Sequence, residues 1–571
     1  MFSLASSLLC LGILPFYSVK AEVLPAPVRP IEPQEQAPEF LRHFLERRAS
    51  NASDVDSNSS ASIVSLVMSE KGSSYYTLLQ AGDINFRVSV DTGSSDLWLY
   101  SSGCSDEACK SSPTFPLNYH SPSFGVIKNN ESSFSISFAD GTVSSGFIAS
   151  ENIQLGNFSV TDQTFGLVTH SNVSLDSKIS GVLGLGFPRL SSFNSSEATF
   201  TPFINGLAQN GNLDYPIFGL SLTRNDDGTL ALGAIDVNVV QNVSAIEWHK
   251  VMPFSPFGSE SNSSSYLLWA LRLPEVGVSG INIATEPTYP DIMTESLALI
   301  DIGTNGIYGP YQDVSRIFDL IEGSRLVDES LGQWAVPCDT ENVITFNFGQ
   351  GNFTLQPTDF LIGPVSSNPS TCLAWPRGVQ NSGDGVDWQL GSPFLRTVYS
   401  IFSFGINDKE PPMIGLYPLS NTSALSENAD EVSSFFSSLS VTIATTLPNS
   451  LLSTPSVTTA DYIFNTSVPA SVGLVPHTAL GTSTYEAILT ASSIDESAIP
   501  LITPAPSVVT FLVTDASGVV LTSTEHVSTS SVALGVYPGE SSSTAPSPPI
   551  LFIIFTLGLS FLPGALILRD L

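Results

Sequence analysis

The chain has 571 residues, of which 42% are hydrophobic, and this is enough to bury a core of ordinary size. Its 53 acidic and 20 basic residues give a formal net charge of −33 at pH 7. So acidic a surface repels phosphate backbones, which excludes nucleic acid as a partner.

Residues 1–21 are typical of a secretory signal peptide. An apolar stretch from Leu4 to Phe16 is followed by Val19-Lys20-Ala21, the kind of context in which signal peptides are cleaved. Residues 22–48 end in the dibasic pair Arg47-Arg48. We interpret them as a pro-segment, and a solvated linker is the alternative.

N-glycosylation sequons agree with export of the chain. The N-x-Ser/Thr pattern occurs at Asn51, Asn58, Asn130, Asn157, Asn172, Asn194, Asn242, Asn262, Asn352, Asn421 and Asn465. We expect many of these sites, but not all, to carry glycan in an extracellular glycoprotein.

The central body, from about Ile63 to Leu419, reads as β structure. Short runs rich in Val, Ile, Phe, Tyr and Thr are separated by turns of Gly, Asn, Asp and Ser. Helices are predicted only near Phe200, in FTPFINGLAQ, and near Tyr311, in YQDVSRIFDLI. The pattern therefore predicts an all-β fold with a few short helices.

The body contains an internal repeat. Asp91 opens a turn after an apolar strand, and Gly184 follows 93 residues later in GVLGLGF. Asp301 opens a similar turn, and Gly391 follows 90 residues later in WQLGSPF. Such a duplication predicts two equivalent turns that meet at a pseudo-twofold axis, each presenting its carboxylate there.

A family resemblance rests on five motifs that occur in order. DTGSSDLW, SFADGT, GVLGLGF, DIGT and LGSPFLR resemble the motifs of pepsin-type aspartic proteases. The resemblance implies a bilobed pepsin-like double β-barrel with a pseudo-twofold active-site cleft, made of an N-terminal lobe (63–245) and a C-terminal lobe (246–419). It also implies peptide or protein substrates, no cofactor and a monomer.

By this resemblance the catalytic pair is Asp91 and Asp301. Two carboxyl groups a hydrogen bond apart cannot easily both ionise, so they share a proton. The ionised member can take a proton from a water held between them, while the protonated partner polarises the peptide carbonyl. Amide hydrolysis then needs no covalent intermediate.

The neighbours of both acids are expected to support the pair. Gly93 and Gly303 let backbone N–H groups approach the carboxylates, where a side chain would intrude. Ser94 and Thr304 correspond to residues that hydrogen-bond the outer carboxylate oxygens, although ordinary turn chemistry also places Ser and Thr there. Thr92 is expected to brace the opposite turn.

The hairpin FADGTVSSG, residues 138–146, resembles the flap that closes over the substrate. Its Phe138, Gly141 and Thr142, together with Trp98, are expected to face the substrate. Asp140 has two interpretations: it pairs with a basic substrate side chain just before the scissile bond, or it only forms the turn before Gly141.

Four cysteines remain after Cys10 is removed with the signal peptide, an even number suited to disulfides in an oxidising compartment. The resemblance implies the pairs Cys104–Cys109 and Cys338–Cys372. A metal site is the alternative, but the six scattered histidines argue against it, and we expect no metal.

Three residues depart from the family pattern. Ile302 occupies the middle of the second turn, where the family has Thr or Ser, so one side of the brace between the turns is lost. Phe138 replaces the flap tyrosine and lacks the hydroxyl that would reach Trp98. Ser392 replaces an acid near the second-lobe site.

Residues 420–549 are rich in Ser, Thr, Val, Ala and Pro and contain no Lys or Arg. This composition predicts an O-glycosylated stalk, and a small β domain around residues 507–524 is the alternative. Residues 550–571 then form an apolar tail behind small residues and a polar spacer. The order matches a GPI signal, which we favour over a single membrane span.

The stalk and tail resemble those of the yapsin-like cell-surface proteases of fungi, so we expect the chain at the cell surface or cell wall. The favoured function is an anchored aspartic endopeptidase. A non-catalytic protease-like protein with a peptide-binding or adhesive role is the alternative. The sequence has no GxSxG, HExxH or P-loop motif, which disfavours serine, metallo- and nucleotide chemistry.

Overall fold

The computed structural model describes most of the body and parts of the C-terminal region. The described residues are 61–72, 74–127, 132–176, 178–193, 201–213, 215–223, 227–253, 266–288, 296–365, 368–380, 385–405, 410–419, 426–444, 500–503, 508–514, 520–526 and 532–538. The predicted signal peptide, pro-segment and apolar tail lie outside them, as do the sequons at Asn51, Asn58, Asn130, Asn194, Asn262, Asn421 and Asn465.

Strands dominate, as the residue pattern predicts. The first thirteen are β1 (Ser62–Met68), β2 (Tyr75–Ala81), β3 (Ile84–Asp91), β4 (Leu97–Tyr100), β5 (Gly125–Val126), β6 (Ser133–Ser137), β7 (Val143–Leu155), β8 (Phe158–Ser171), β9 (Ile179–Gly184), β10 (Ile217–Leu222), β11 (Asp227–Leu232), β12 (Ile235–Asp236) and β13 (Glu247–Lys250).

The later strands form the C-terminal lobe and the segment after it. They are β14 (Ala270–Arg272), β15 (Glu275–Val278), β16 (Ile281–Ala284), β17 (Leu297–Ile300), β18 (Ile307–Pro310), β19 (Arg325–Asp328), β20 (Gln333–Pro337), β21 (Ile344–Asn347), β22 (Asn352–Leu355), β23 (Leu361–Val365), β24 (Asn368–Ala374), β25 (Arg377–Val379), β26 (Trp388–Leu390), β27 (Val398–Ser403), β28 (Met413–Pro418), β29 (Leu501–Ile502), β30 (Val508–Thr514) and β31 (Val520–His526).

Helices are short. The α-helices among the described residues are Phe203–Gln209, Tyr311–Phe318, Pro357–Phe360, Ser392–Leu395 and Ala429–Ser438, and 3-10 turns occur at Glu107–Cys109, Pro188–Leu190 and Val243–Ala245. The two helices predicted from the sequence are confirmed. Every helix within the described part of the chain is too short or too polar to cross a bilayer.

The N-terminal lobe contains a closed barrel of six strands. Strands β2, β3, β9, β4, β8 and β7 pair in this order, and β7 returns to pair with β2. Residues of β2 and β3 alternate between buried and partly exposed positions, because one face of each strand points into the barrel. In contrast, β9 is buried along its whole length, at the centre of the lobe.

One antiparallel sheet joins the two lobes. Strands β1, β11 and β10 from the first lobe continue into β27, β28 and β13 from the second, all antiparallel to their neighbours. The C-terminal lobe adds one five-stranded sheet and two four-stranded sheets. The bilobed all-β architecture expected from the sequence is confirmed.

The internal repeat is confirmed in three dimensions. In the first lobe β3 runs parallel to β9, β9 is antiparallel to β4, and β4 is parallel to β8. In the second, β17 runs parallel to β26, β26 is antiparallel to β18, and β18 is parallel to β25. Both halves therefore place an acid where a buried strand ends.

Two glycines allow this arrangement. A Cβ atom on Gly184 would lie 2.3 Å from the backbone of Ser95, and one on Gly391 would lie 2.0 Å from the carbonyl oxygen of Thr304. Neither position has room for a side chain. The similar spacing from each acid to its glycine in the sequence, 93 and 90 residues, reflects this shared crossing.

The structure corrects the boundary of the stalk. Helix Ala429–Ser438 belongs to the segment assigned to a stalk by composition, yet Val432 and Phe436 are buried in the main core. Asn428 caps the helix and Glu431 completes the capping box. An Asn-x-x-Glu pattern before Val432 signals this helix, and the surrounding Ser-rich composition hid it.

Later segments also contact the body. Leu501 and Ile502 pair in parallel with Ile235 and Asp236. The backbone N–H of Gly535 donates to the carbonyl of Asn85 at 2.9 Å. Strands β30 and β31, within the region for which a small β domain was the alternative, form an antiparallel hairpin.

His249, in the sheet that joins the lobes, should reduce stability in acid. It is 7% exposed, and its Nε2 lies 3.8 Å from Glu247, too far for a hydrogen bond. Burial lowers its pKa from 6.5 to about 4. Between these values the unfolded chain binds a proton that the folded protein does not, so stability falls as the pH falls.

We expect His249→Phe to remove this effect. Between pH 7 and pH 4.5 the variant should gain about 2 to 3 kcal/mol of unfolding free energy relative to the parent protein, as measured by urea unfolding. The exposed His170 supplies a control, His170→Gln, which should show no such gain. Equal pH dependence in His249→Phe and the parent would contradict the assignment.

Candidate active site

Asp91 and Asp301 meet between the lobes. Asp91 is the last residue of β3, and Asp301 directly follows β17. Their carboxyl groups lie within hydrogen-bonding reach of one another. Asp301 is 6% exposed, and Asp91 is partly exposed. The two turns that the repeat predicts to meet are thus together.

Each carboxylate receives the same pair of hydrogen bonds. The backbone N–H of Gly93 donates to Asp91 Oδ1 at 2.9 Å, and Ser94 Oγ donates to Asp91 Oδ2 at 2.5 Å. On the other side, Gly303 N–H donates to Asp301 Oδ1 at 3.0 Å, and Thr304 Oγ1 donates to Asp301 Oδ2 at 2.7 Å. The site is a nearly symmetric pair of acids.

Gly93 and Gly303 both lie close to the carboxylates of the pair. A Cβ atom on Gly303 would lie 2.3 Å from Asp91 Oδ1, across the lobe boundary. One on Gly93 would lie 3.2 Å from Asp91 Oδ1 and 3.3 Å from Asp301 Oδ2. Any larger residue at 303 would therefore push the two acids apart.

The electrostatics of the pair favour a retained proton. Burial, and then the charge of Asp301, raise the pKa of Asp91 from 3.8 to about 7, against the hydrogen bonds from Ser94 and Gly93 that lower it. Because the two groups titrate together, the proton belongs to the pair rather than to one residue. Up to nearly neutral pH the pair therefore favours keeping a proton.

Thr92 braces the two turns. Its buried Oγ1 accepts a hydrogen bond from the backbone N–H of Ile302 at 3.1 Å. The same hydroxyl lies 2.9 Å from Asp301 Oδ1 and 3.2 Å from the carbonyl oxygen of Ile300, and it can donate to one of them. Ile302 has no hydroxyl to return the contact, yet it is buried at 1% exposure. Thr92 therefore still connects the two turns, although only the first turn supplies a hydroxyl.

Ser392 packs behind the second turn. Its backbone N–H donates to the carbonyl of Thr304 at 2.9 Å, and its Oγ lies 3.4 Å from the same oxygen. The corresponding bond in the first lobe joins Gly186 N–H to Ser94 carbonyl oxygen at 2.7 Å. Ser392 therefore supports the turn backbone without a hydrogen bond to either carboxylate.

The flap is a tight hairpin between β6 and β7. Phe138 N–H donates to the carbonyl of Thr142, and Gly141 N–H donates to the carbonyl of Phe138, both at 2.9 Å. Gly141 has φ +81°, a conformation that suits glycine. The Phe138 ring lies 6.4 Å from that of Trp98, centroid to centroid, so the aromatic contact remains without the polar tether.

Asp140 stabilises the flap turn. Its Oδ1 accepts hydrogen bonds from the backbone N–H and from the hydroxyl of Thr142, at 2.9 and 2.7 Å. The side chain is exposed to solvent. The turn-forming role is present in the structure, and it does not prevent the substrate-binding role.

Sequence reasoning missed Asp96, which is 4% exposed. Its carboxylate accepts bonds from Ser191 Oγ at 2.5 Å and from the backbone N–H of Ser192 at 2.6 Å. The next residue, Phe193, packs edge-on against Phe134 of the flap strand. An acid inside the apolar end of DTGSSDLW was the available signal, because a buried carboxylate requires partners.

Both disulfides are present. Cys104 pairs with Cys109, and Cys338 pairs with Cys372. The first closes a small loop beside Tyr100, and the second links the residue that directly follows β20 to β24 in the C-terminal lobe.

Comparisons with known proteins agree with this geometry. A sequence model described as eukaryotic aspartyl protease matches residues 74–410. An aspartic protease of Phaffia rhodozyma is 32% identical over 331 residues, which cover 57% of this chain and 72% of the relative. Major aspartyl peptidase 1 of Cryptococcus neoformans is 27% identical, covering 60% and 67%. Mouse cathepsin E is 26% identical, covering 58% and 77%.

Proposed function

The chain belongs to the eukaryotic aspartyl protease family, and from this premise we propose that it is an active endopeptidase whose catalytic pair is Asp91 and Asp301. The observation that carries the proposal is the symmetric pair of carboxyls, each held by one backbone N–H and one hydroxyl. Membership of the family implies peptide or protein substrates.

The geometry supports a general acid–base route. The ionised carboxyl of the pair takes a proton from a water, whose oxygen attacks the peptide carbonyl carbon, while the protonated carboxyl donates its hydrogen bond to the carbonyl oxygen. The carboxyl that took the proton from water then gives it to the nitrogen of the tetrahedral intermediate, the C–N bond breaks and the amine leaves. The pair ends with one proton, as it began, and no bond to the enzyme forms.

Ser94 and Thr304 position the acids for this step. Each hydroxyl holds the outer oxygen of its carboxylate, so the inner oxygens stay directed at one another. The backbone N–H groups of Gly93 and Gly303 add a second fixed donor to each acid. Such preorganised donors need no rearrangement when the reaction begins.

Digestion of denatured protein at about pH 4 tests the proposal, with pepstatin as the probe of the cleft. We expect turnover that pepstatin blocks. The alternative, a catalytically impaired protein that binds peptides or serves adhesion, is favoured by the one-sided brace at Ile302 and the missing flap hydroxyl at Phe138. It predicts pepstatin binding without turnover.

We further propose that the protein passes through the secretory pathway and is held at the cell surface or cell wall by a GPI anchor. Support comes from the signal-like start, the apolar tail behind small residues, and two disulfides, which suit an oxidising route. Release from intact cells by phosphatidylinositol-specific phospholipase C is the expected result. Retention after that treatment would favour the single membrane span.

We also propose that Asp140 gives the enzyme a preference for Lys or Arg just before the scissile bond. Asp140→Asn separates charge from turn formation, because the amide oxygen can still accept the two bonds from Thr142. We expect kcat/KM for a Lys peptide to fall about 10-fold, with little change for the matched Leu peptide. An equal effect on both peptides would leave only the turn-forming role.

A further inference from the structure

Asn172 is tied to the root of the flap. The ladder between β7 and β8 reaches the pair Ser144–Ser171 at this end. Beyond it, the backbone N–H of Asn172 donates to the carbonyl of Val143 at 3.1 Å, and Asn172 Oδ1 accepts from Val143 N–H at 2.6 Å. Val143 is also the residue that pairs with Ser137 at the base of the flap hairpin.

The same asparagine begins the sequon Asn172-Val173-Ser174. Asn172 and Ser174 are exposed, and Val173 is partly buried. The contact with Val143 uses the amide oxygen, whereas an N-linked glycan attaches to the amide nitrogen. Among the described residues none accepts a hydrogen bond from that nitrogen, so the flap contact and a glycan are compatible.

The loop that carries this sequon is fixed at several points. The backbone N–H of Ser171 donates to Asp106 Oδ2 at 2.8 Å, and Tyr100 OH donates to the carbonyl of Val173 at 2.5 Å. Further along, Lys71 N–H donates to Asp176 Oδ2 at 2.9 Å. A glycan on Asn172 would therefore be attached at a fixed position beside the flap.

We propose that Asn172 is N-glycosylated and that its glycan restricts the access of large protein substrates to the cleft. The inference rests on the proposed secreted peptidase function. An N-linked oligosaccharide is bulky and strongly hydrated, so it occupies the space next to the flap. A short peptide enters between flap and acids without crossing that space, whereas a folded protein must bring its own surface against it.

The chain contains a matched control at the other end of the same hairpin. Asn157 begins the sequon Asn157-Phe158-Ser159 in the turn between β7 and β8, and Asn157 and Ser159 are both exposed. Strand β7 has 13 residues, so at about 3.3 Å per residue its two ends are up to roughly 40 Å apart along the strand. A glycan at Asn157 should not affect the flap.

The test uses the full chain expressed in a eukaryotic host, with Ser174→Ala to remove the Asn172 sequon while Asn172 stays in place. Peptide mapping after enzymatic deglycosylation should show Asn172 converted to aspartate in the parent and unmodified in Ser174→Ala. The ratio of kcat/KM for a folded protein to that for an octapeptide should rise at least about threefold in Ser174→Ala. Ser174→Thr, which keeps the sequon, and Ser159→Ala should leave the ratio at the parent value.

An unmodified Asn172 in the parent would overturn the inference, as would an unchanged ratio in Ser174→Ala or an equal rise in Ser159→Ala. If the parent shows no turnover, the proposed function fails separately. Binding is then measured for free pepstatin and for pepstatin coupled to albumin. Ser174→Ala should increase the affinity only for the coupled form. No difference between the two forms would again overturn it.

Discussion

Asp91→Asn and Asp301→Asn should each lower kcat/KM for a peptide by about 10²- to 10⁴-fold, the usual contribution of a positioned acid or base. An asparagine cannot ionise, so neither variant can hold one proton and one charge on the pair. The double variant should be little worse than either single one, because the two acids act as a unit. Initial rates with a short peptide at acid pH measure the effect.

A folding control separates chemistry from structure. Ionised Asp91 is disfavoured in the folded protein, because burial and Asp301 raise its pKa to about 7. The folded state therefore binds more protons than the unfolded chain between pH 3.8 and 7, and stability falls as the pH rises through this range. Asp91→Asn should therefore be at least as stable as the parent at pH 7.5, so a loss of its activity does not come from unfolding.

The exposed acid Asp162 supplies a control for the loss of a carboxylate outside the site, and Asp162→Asn should keep full activity.

Thr92→Val should have the second largest effect. It removes the hydroxyl that accepts from Ile302 N–H and lies beside Asp301 Oδ1. A buried N–H left without its partner costs about 1 to 3 kcal/mol. A displacement of the Asp301 turn by about 1 Å can cost about 10²-fold in rate, so we expect kcat/KM to fall by about that factor.

Two further variants sharpen this test. Thr92→Ser keeps the hydroxyl and should retain most of the activity. Ile302→Thr introduces a hydroxyl on the opposite turn. The double variant Thr92→Val/Ile302→Thr should therefore recover part of the kcat/KM that Thr92→Val loses. If Thr92→Val stays within about threefold of the parent, the brace does not position the acids.

The sequence was sufficient for the fold and for the meeting of the two acids. The repeated spacing from Asp91 to Gly184 and from Asp301 to Gly391 reflects one strand crossing used twice, and that crossing places both acids at the same axis. A local sequence pattern that occurs twice in this way forms the same backbone arrangement in both lobes. This is why the position of the pair could be predicted.

Contacts that depend on strand register could not be predicted. The tie between Asn172 and Val143 exists because β7 and β8 pair with a particular offset that includes two register shifts. The pairing of Leu501 with Ile235 joins segments more than 260 residues apart. Nothing in the local composition of either segment identifies its partner.

Composition misled at the helix Ala429–Ser438. Four of its ten residues are serines, which favour turns and caps over helix interiors. Burial of Val432 and Phe436, one helical turn apart, decided the outcome in favour of a helix packed on the body. Tertiary packing outweighed local propensity there.

The pH dependence of kcat/KM tests the shared proton most directly. With an uncharged octapeptide measured from pH 3 to pH 8.5, the rate constant should fall above about pH 7 with the slope of one proton, because the pair then loses the proton that it shares. A rate constant that stays level or rises through pH 8.5 would contradict a catalytic pair that holds one proton.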